Sequence, residues 1–261
     1  MWMLAFALLL QTAVPSEVAQ LTRRAEAGDA KAEYALGLDY ARGRGVPADD
    51  AQALKWFLKA ARQHNPEGEY ALSELYLTGR GVPQDDAKAT EWLKLAAQHG
   101  EPRAQYNLAT FYLTGRGVAK DDALAFSWMQ KAAQQRFDDG EFGLGSMYQH
   151  GTGVQRDDVK AAHWYRSAAL HGSDDATNNL ALLLATSSDP HVRNQKEALA
   201  TAQAAVDRHP DDATYLDTLA SVYFLVGDAK TAADVEKRAV ALKPSSEAYK
   251  NALAKFVAAT H

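Results

Sequence analysis

TGRGVPQDDAKATEWLKLAA runs from Thr78 to Ala97. Taken alone, its Gly-Arg-Gly suggests a phosphate loop, Asp85–Asp86 a metal or acid–base pair, and Trp92 a stacking platform. The flanking sequence changes that reading. Thirty-six residues earlier stands RGRGVPADDAQALKWFLKAA (Arg42–Ala61), and thirty-six later TGRGVAKDDALAFSWMQKAA (Thr114–Ala133). A fourth copy, HGTGVQRDDVKAAHWYRSAA, covers His150–Ala169. Glycines recur at Gly43 and Gly45, Gly79 and Gly81, Gly115 and Gly117, Gly151 and Gly153; tryptophans recur at Trp56, Trp92, Trp128 and Trp164. A catalytic site is needed once, whereas a stacked structural unit needs its key residues in every copy. These columns are architecture.

Each unit divides into two helical halves. In AQYNLATFYLTG (Ala104–Gly115), Tyr106, Leu108, Ala109 and Tyr112 have apolar spacing of helical period, and Gly115 can close the helix in the left-handed conformation. The aspartate pair opens the second helix, where a carboxylate accepts from unsatisfied amides and faces the positive end of the dipole. In that helix Ala125, Trp128, Met129, Ala132 and Ala133 form one apolar stripe. The expectation is that the tryptophan fills the space left by a small-residue column on the first helix, Gly37, Ser73, Ala109 and Gly145.

Leu36-Gly37-x-x-Tyr40, the Gly-x-Gly-Val turn, the aspartate pair and Trp-x-x-x-Ala-Ala together resemble the Sel-1-like repeat, a relative of the tetratricopeptide repeat. The resemblance covers residues 29–172 and implies an all-α solenoid of helix–turn–helix units, a right-handed superhelix of about fourteen helices. Beyond Gly172 the register changes. A fifth unit begins at Leu180–Ala181 with a longer turn that lacks Gly-x-Gly (Thr186–Gln195). From Ala198 the spacing becomes 34, as in Ala198 to Ala232, Ala205 to Ala239 and Pro210 to Pro244, which resembles the parent tetratricopeptide repeat. Glu236 stands where that pattern has an aromatic residue, which suggests weaker packing or an exposed edge. The expected organisation is an apolar leader at 1–15, an opening helix within 16–28, four repeats at 29–172, two divergent repeats at 173–244, and a closing helix and tail at 245–261.

Bulk properties narrow the function classes. Apolar residues make up 47% of the 261, ample for a core, and the formal charge of −5 comes without a basic run, so nucleic acid is not the expected partner. There is no cysteine, which removes disulfides, thiolate metal sites and a cysteine nucleophile. Trp2–Leu10 is nine apolar residues, far short of a membrane span and of the right length for a secretory h-region, with Ala13 as the cleavage position. The absence of Lys or Arg before it, and Gln11, leave a buried N-terminal segment and a cytoplasmic protein as the alternative. No integral membrane span is expected, and the oligomeric state is not readable.

The motifs of catalysis and metal binding are missing. There is no His-Glu-x-x-His, no pair of histidines four apart and no Gly-x-Ser-x-Gly, and the Gly-Arg-Gly turns lack the Lys-Ser/Thr of a phosphate loop. The expectation is no catalytic residue, no cofactor and no metal. Some cysteine-rich secreted members of the resembled family are linked to β-lactam or peptidoglycan-like ligands; this chain departs from them in having no cysteine.

Comparing the copies separates scaffold from variable positions. On the first helices, Lys31, Ala35, Leu38 and Arg42, then Glu67, Ala71, Glu74 and Thr78, then Arg103, Asn107, Thr110 and Thr114, then Asp139, Gly143, Ser146 and His150 follow steps of 4, 3 and 4, so each set lies along one face. Asp175, Asn179 and Leu182 continue the series. The resemblance implies that first helices line a concave groove. The expected function is therefore a non-enzymatic protein-interaction module, an adaptor, scaffold or regulatory protein, holding a peptide or protein segment there. The alternatives are a secreted hydrolase acting on cell-wall or β-lactam-type substrates and a purely structural spacer.

Overall fold

The computed structural model describes residues 16–260, so the apolar run at Trp2–Leu10 and its expected cleavage position lie outside the described residues. Among these, fourteen α-helices and no strands are present. The opening helix is α1 (Ser16–Glu26), followed by repeat pairs α2 (Ala30–Arg42) with α3 (Asp50–Arg62), α4 (Pro66–Thr78) with α5 (Asp86–Gln98), α6 (Pro102–Thr114) with α7 (Asp122–Gln134), and α8 (Asp138–His150) with α9 (Asp158–Leu170). Then come α10 (Asp174–Thr186), α11 (Gln195–Arg208), α12 (Ala213–Leu225), α13 (Ala229–Leu242) and α14 (Glu247–Ala258). The chain forms two compact units, Met1–Trp128 and Met129–His261. Within the first, α1 to α6 pack each on the next; within the second, α8 to α14 do the same, the packing of an α-solenoid.

Local chemistry sets the ends of each helix. Asp49, Asp85 and Asp157 are extended N-cap residues whose carboxylates accept from amides two or three residues on, and Asp121 accepts from the Leu124 amide. Gly43, Gly79, Gly115 and Gly151 close the first helices at positive φ. The turn is then fastened across its base, where the amides of Asp49, Asp85, Asp121 and Asp157 donate to the carbonyls of Tyr40, Tyr76, Tyr112 and Tyr148. The second aspartate does a different job. Arg80, from the middle of the Gly-Arg-Gly turn, donates to both oxygens of Asp50 in the preceding repeat at 2.6 and 3.2 Å and to the Ala41 carbonyl at 2.9 Å. Arg116 meets Asp86 in the same way. Gly81 lies so close to that helix start that a Cβ on it would be 2.7 Å from the Asp50 carbonyl oxygen. In the first three pairs one glycine ends a helix, and the other lets the chain touch the helix of the unit before.

The small column of the first helix is filled by the residue after the tryptophan, which corrects the expectation above. A Cβ on Gly37 would stand 2.5 Å from the Phe57 ring, and one on Gly145 would stand 2.7 Å from the Tyr165 ring. Phe57 and Tyr165 are buried. Adjacent helical residues point about 100° apart, so with the following residue facing its own first helix, the indole turns toward the seam with the repeat before. Trp92 accordingly packs on a cluster containing Phe57, Ala61, Leu72 and Leu75, and Trp128 on one containing Leu93, Ala97 and Leu108. Trp56 is buried; Trp92, Trp128 and Trp164 are half-buried.

Glu236 likewise departs from expectation: it is wholly enclosed rather than at an edge. Burial, then the charge of Asp217 nearby, push its carboxyl up to about 7. Burial also raises Asp217. Two carboxyl groups held together away from water cannot both ionise cheaply, so the pair keeps a proton.

Two outcomes follow from this packing. Gly37→Ala should lower the melting temperature although alanine is preferred in helices by ~1 kcal/mol, because the new methyl meets the Phe57 ring. Combined with Phe57→Leu, the same change should become neutral or favourable, which a double-mutant cycle in urea would reveal. For Glu236, the unfolded carboxyl releases its proton near the ordinary 4.5 and the folded one near 7. The folded state thus binds more protons between those values, and stability falls as pH rises through them. Glu236→Gln should remove about 2–3 kcal/mol of that decline, read as the difference between variant and parent urea midpoints from pH 4 to 8.

Candidate functional site

The variable face of the first helices gathers into a groove in the first unit. Successive positions four apart on α2, α4 and α6 present Tyr34 and Leu38, Tyr70 and Glu74, and Arg103 and Asn107. All but Asn107 border a depression of about 290 Å³, whose floor includes Phe57, Ala71 and Leu75. Arg42 and Arg80 stand at its rim. The Tyr34 and Phe57 rings are tilted against each other with centroids 5.9 Å apart.

Arg103 is the centre of this arrangement. Its guanidinium lies 4.7 Å from the centroid of Tyr70, within cation–π range. Its Nε donates to Glu101, and Tyr34 lies close enough to favour its charge. Burial works against the Arg103 charge, but Glu101 and Tyr34 outweigh it and hold its pKa above the ordinary value. Asn107 Nδ2 donates to the Tyr70 hydroxyl at 3.1 Å. Burial, reinforced by Glu74, pushes the Tyr70 phenol up to about 12, so it remains protonated at neutral pH. Glu101 is itself informative. It occupies the N-cap of α6 but makes no side-chain cap bond, whereas Asp29 and Asn65 cap the matching helices. Its carboxylate is committed to Arg103.

Of the expected binding residues, the structure brings Leu38, Arg42, Glu74 and Arg103 to one groove, with Asn107 joined to it through Tyr70. Lys31 is exposed at the start of α2, and Glu67 accepts from the cap residue Asn65 at 2.8 Å. Thr110 donates to the Tyr106 carbonyl of its own helix. In the second unit, the Tyr165 hydroxyl donates to Gln149 Oε1 at 2.7 Å, with Ser146 and Asn179 close by. His150 Nδ1 lies 2.9 Å from the Ser146 carbonyl. Asp139 is raised by burial, then by the charges of Asp138 and Asp175, which makes an acidic spot at the starts of α8 and α10. The tyrosines of the groove were missed in the sequence, where their column reads as core; its signal is that Tyr34, Tyr70 and Tyr106 carry hydroxyls that a wholly enclosed column would not need.

A second cluster, unanticipated from sequence, lies at the junction of the first two repeats. His64, Glu69 and His99 place a ligand-type atom each within 4.8 Å of one another. Its members come from three segments of chain, so no spacing of histidines along one helix marks it.

Repeated helix hairpins with capped turns, carrying a polar-lined groove on their first helices, define a tetratricopeptide-like α-solenoid. The Sel1 repeat family profile matches residues 30–65, 66–101, 102–137 and 138–173. The chain belongs to the Sel1 repeat family, whose members are generally protein-interaction modules. Among solved structures, a protective antigen of uropathogenic Escherichia coli with this fold is 33% identical over 86% of this chain and 48% of its own, with a TM-score of 0.74. The present chain thus spans about half the length of that antigen. A Sel1 repeat protein from Oxalobacter formigenes is 34% identical over 73% of this chain and 78% of its own, with a TM-score of 0.66. The Cut9–Hcn1 assembly of the APC/C shares the fold alone, at 14% identity over 93% of this chain and 47% of its own, with a TM-score of 0.56. No curated protein sequence matches. No described helix is long and apolar enough to cross a membrane.

Proposed function

We propose that this chain is a non-enzymatic adaptor or scaffold that holds an extended segment of another protein in the groove of α2, α4 and α6. The observation that carries the reading is the prior positioning of Arg103. A side chain with four rotatable bonds is normally costly to order on binding; here Glu101, Tyr34 and the Tyr70 ring have already oriented it. An apolar floor with a few fixed polar groups around it is the usual composition of a recognition site. Leu38 and Ala71 offer contact to an apolar side chain, Arg42 and Arg103 favour a carboxylate, and Glu74 selects against a wholly acidic segment. The apolar run at Trp2–Leu10 supports placing this activity on the exported side of a cell envelope.

A photo-crosslinking residue installed at Leu38 or at Glu74 should capture one and the same polypeptide from an extract of the native source. The same residue at Leu95, exposed on α5, should not. Arg42→Glu combined with Asn107→Ala should weaken that complex at least tenfold while leaving the melting temperature within a few degrees of the parent. Equal capture from Leu95, or unchanged affinity in the double variant, would overturn the assignment.

A further inference from the structure

We propose that His64, Glu69 and His99 form a binding site for one divalent transition metal ion, with zinc the best match to two imidazoles and a carboxylate. Glu69 is buried at the start of α4. Its Oε2 lies 2.7 Å from His99 Nδ1 and its Oε1 4.0 Å from His64 Nδ1. The two imidazole rings meet edge to face, with centroids 5.1 Å apart. Tetrahedral zinc at ~2.0–2.1 Å from each ligand requires neighbouring donor atoms ~3.3 Å apart. One ligand atom from each residue lies within 4.8 Å of the other two, so closing the set onto one ion takes a movement of up to about 1.5 Å, which the exposed His64 ring is free to make. His64 is 76% exposed, which leaves an entry path and a fourth position for water.

The other repeats show that this is more than the scaffold requires. The contact between the first-helix acid and the residue ending the second helix recurs, as Glu33 with Gln63 and as Glu141 with His171, both at 2.7 Å. It fastens one hairpin and needs a single partner. The second repeat adds His64 to it from the preceding linker. That position is Gly28, Gly100 and Gly172 elsewhere, all at positive φ, and His64 adopts the same left-handed conformation at +58°. A branched ring at a backbone position suited to glycine carries strain, and in the fourth repeat the residue there is Arg136, which cannot ligate a metal. One repeat of the four therefore collects a complete donor set. A bound ion would join the linker before α4, the start of α4 and the end of α5.

Titration of the metal-stripped full chain with zinc chloride at pH 7.5, followed by calorimetry, should give one ion per chain and a melting temperature raised by several degrees. Cobalt(II) in place of zinc should show the intense visible absorption of a four-coordinate site. His64→Gly and His99→Gln each introduce a residue that another repeat carries at the same place, so folding should persist; both should weaken binding at least tenfold. His171→Gln, in the pair without a third ligand, should leave affinity unchanged. Binding of His64→Gly within twofold of the parent, loss on His171→Gln, or only weak multiple-site uptake would overturn the proposal. Should either variant unfold, cobalt-induced shifts of the His64 and His99 ring protons in the parent decide the matter, their absence refuting it.

Discussion

The structure depends on how closely two helices of one repeat can approach. At Gly37 and Gly145 the backbone has no side chain, and an aromatic ring from the partner helix rests directly on it. In two of the copies the bulk on one side is matched to the space on the other: Gly37 with Phe57 and Gly145 with Tyr165. The sum of sizes stays nearly level, as close packing demands. That spacing in turn sets where the turn glycines fall, and hence where Arg80 finds Asp50.

Much of this was legible in the sequence because repetition separates what the scaffold needs from what it tolerates. Helix starts at the aspartate pairs and helix ends at the first turn glycines could be read directly, each having a local cause in an unsatisfied amide or a positive φ. The direction of the indoles was not. Trp92 and Leu93 are adjacent, and a linear pattern of apolar residues does not say which of two neighbours faces the partner helix and which the seam. Glu236 was misjudged for a related reason: burial of an acid depends on a partner, Asp217, that lies nineteen residues away on another helix.

The groove was only partly legible. Variation among copies pointed to Leu38, Arg42, Glu74, Arg103 and Asn107, but it equally selected Lys31 and Glu67, of which Lys31 is exposed beside the Asp29 cap and Glu67 is bonded to the Asn65 cap. Variation reveals freedom from packing without revealing for what the freedom is used. The more telling mark was a lapse in a local rule, Glu101 standing at a cap position without capping. The His64 cluster follows the same logic, since a histidine in a glycine column is a lapse of backbone rather than of side-chain chemistry.

The ties between neighbouring repeats, Arg80 to Asp50 and Arg116 to Asp86, each span thirty residues of chain. Ties of that span keep contact order low, so each hairpin can zip onto its neighbour with little loop to close. Force applied to the first three repeats would be resisted one junction at a time, the two junctions each holding by a charged clasp at the rim. A scaffold of this kind yields stepwise, like a chain of small latches, and regains its shape from whichever link survives.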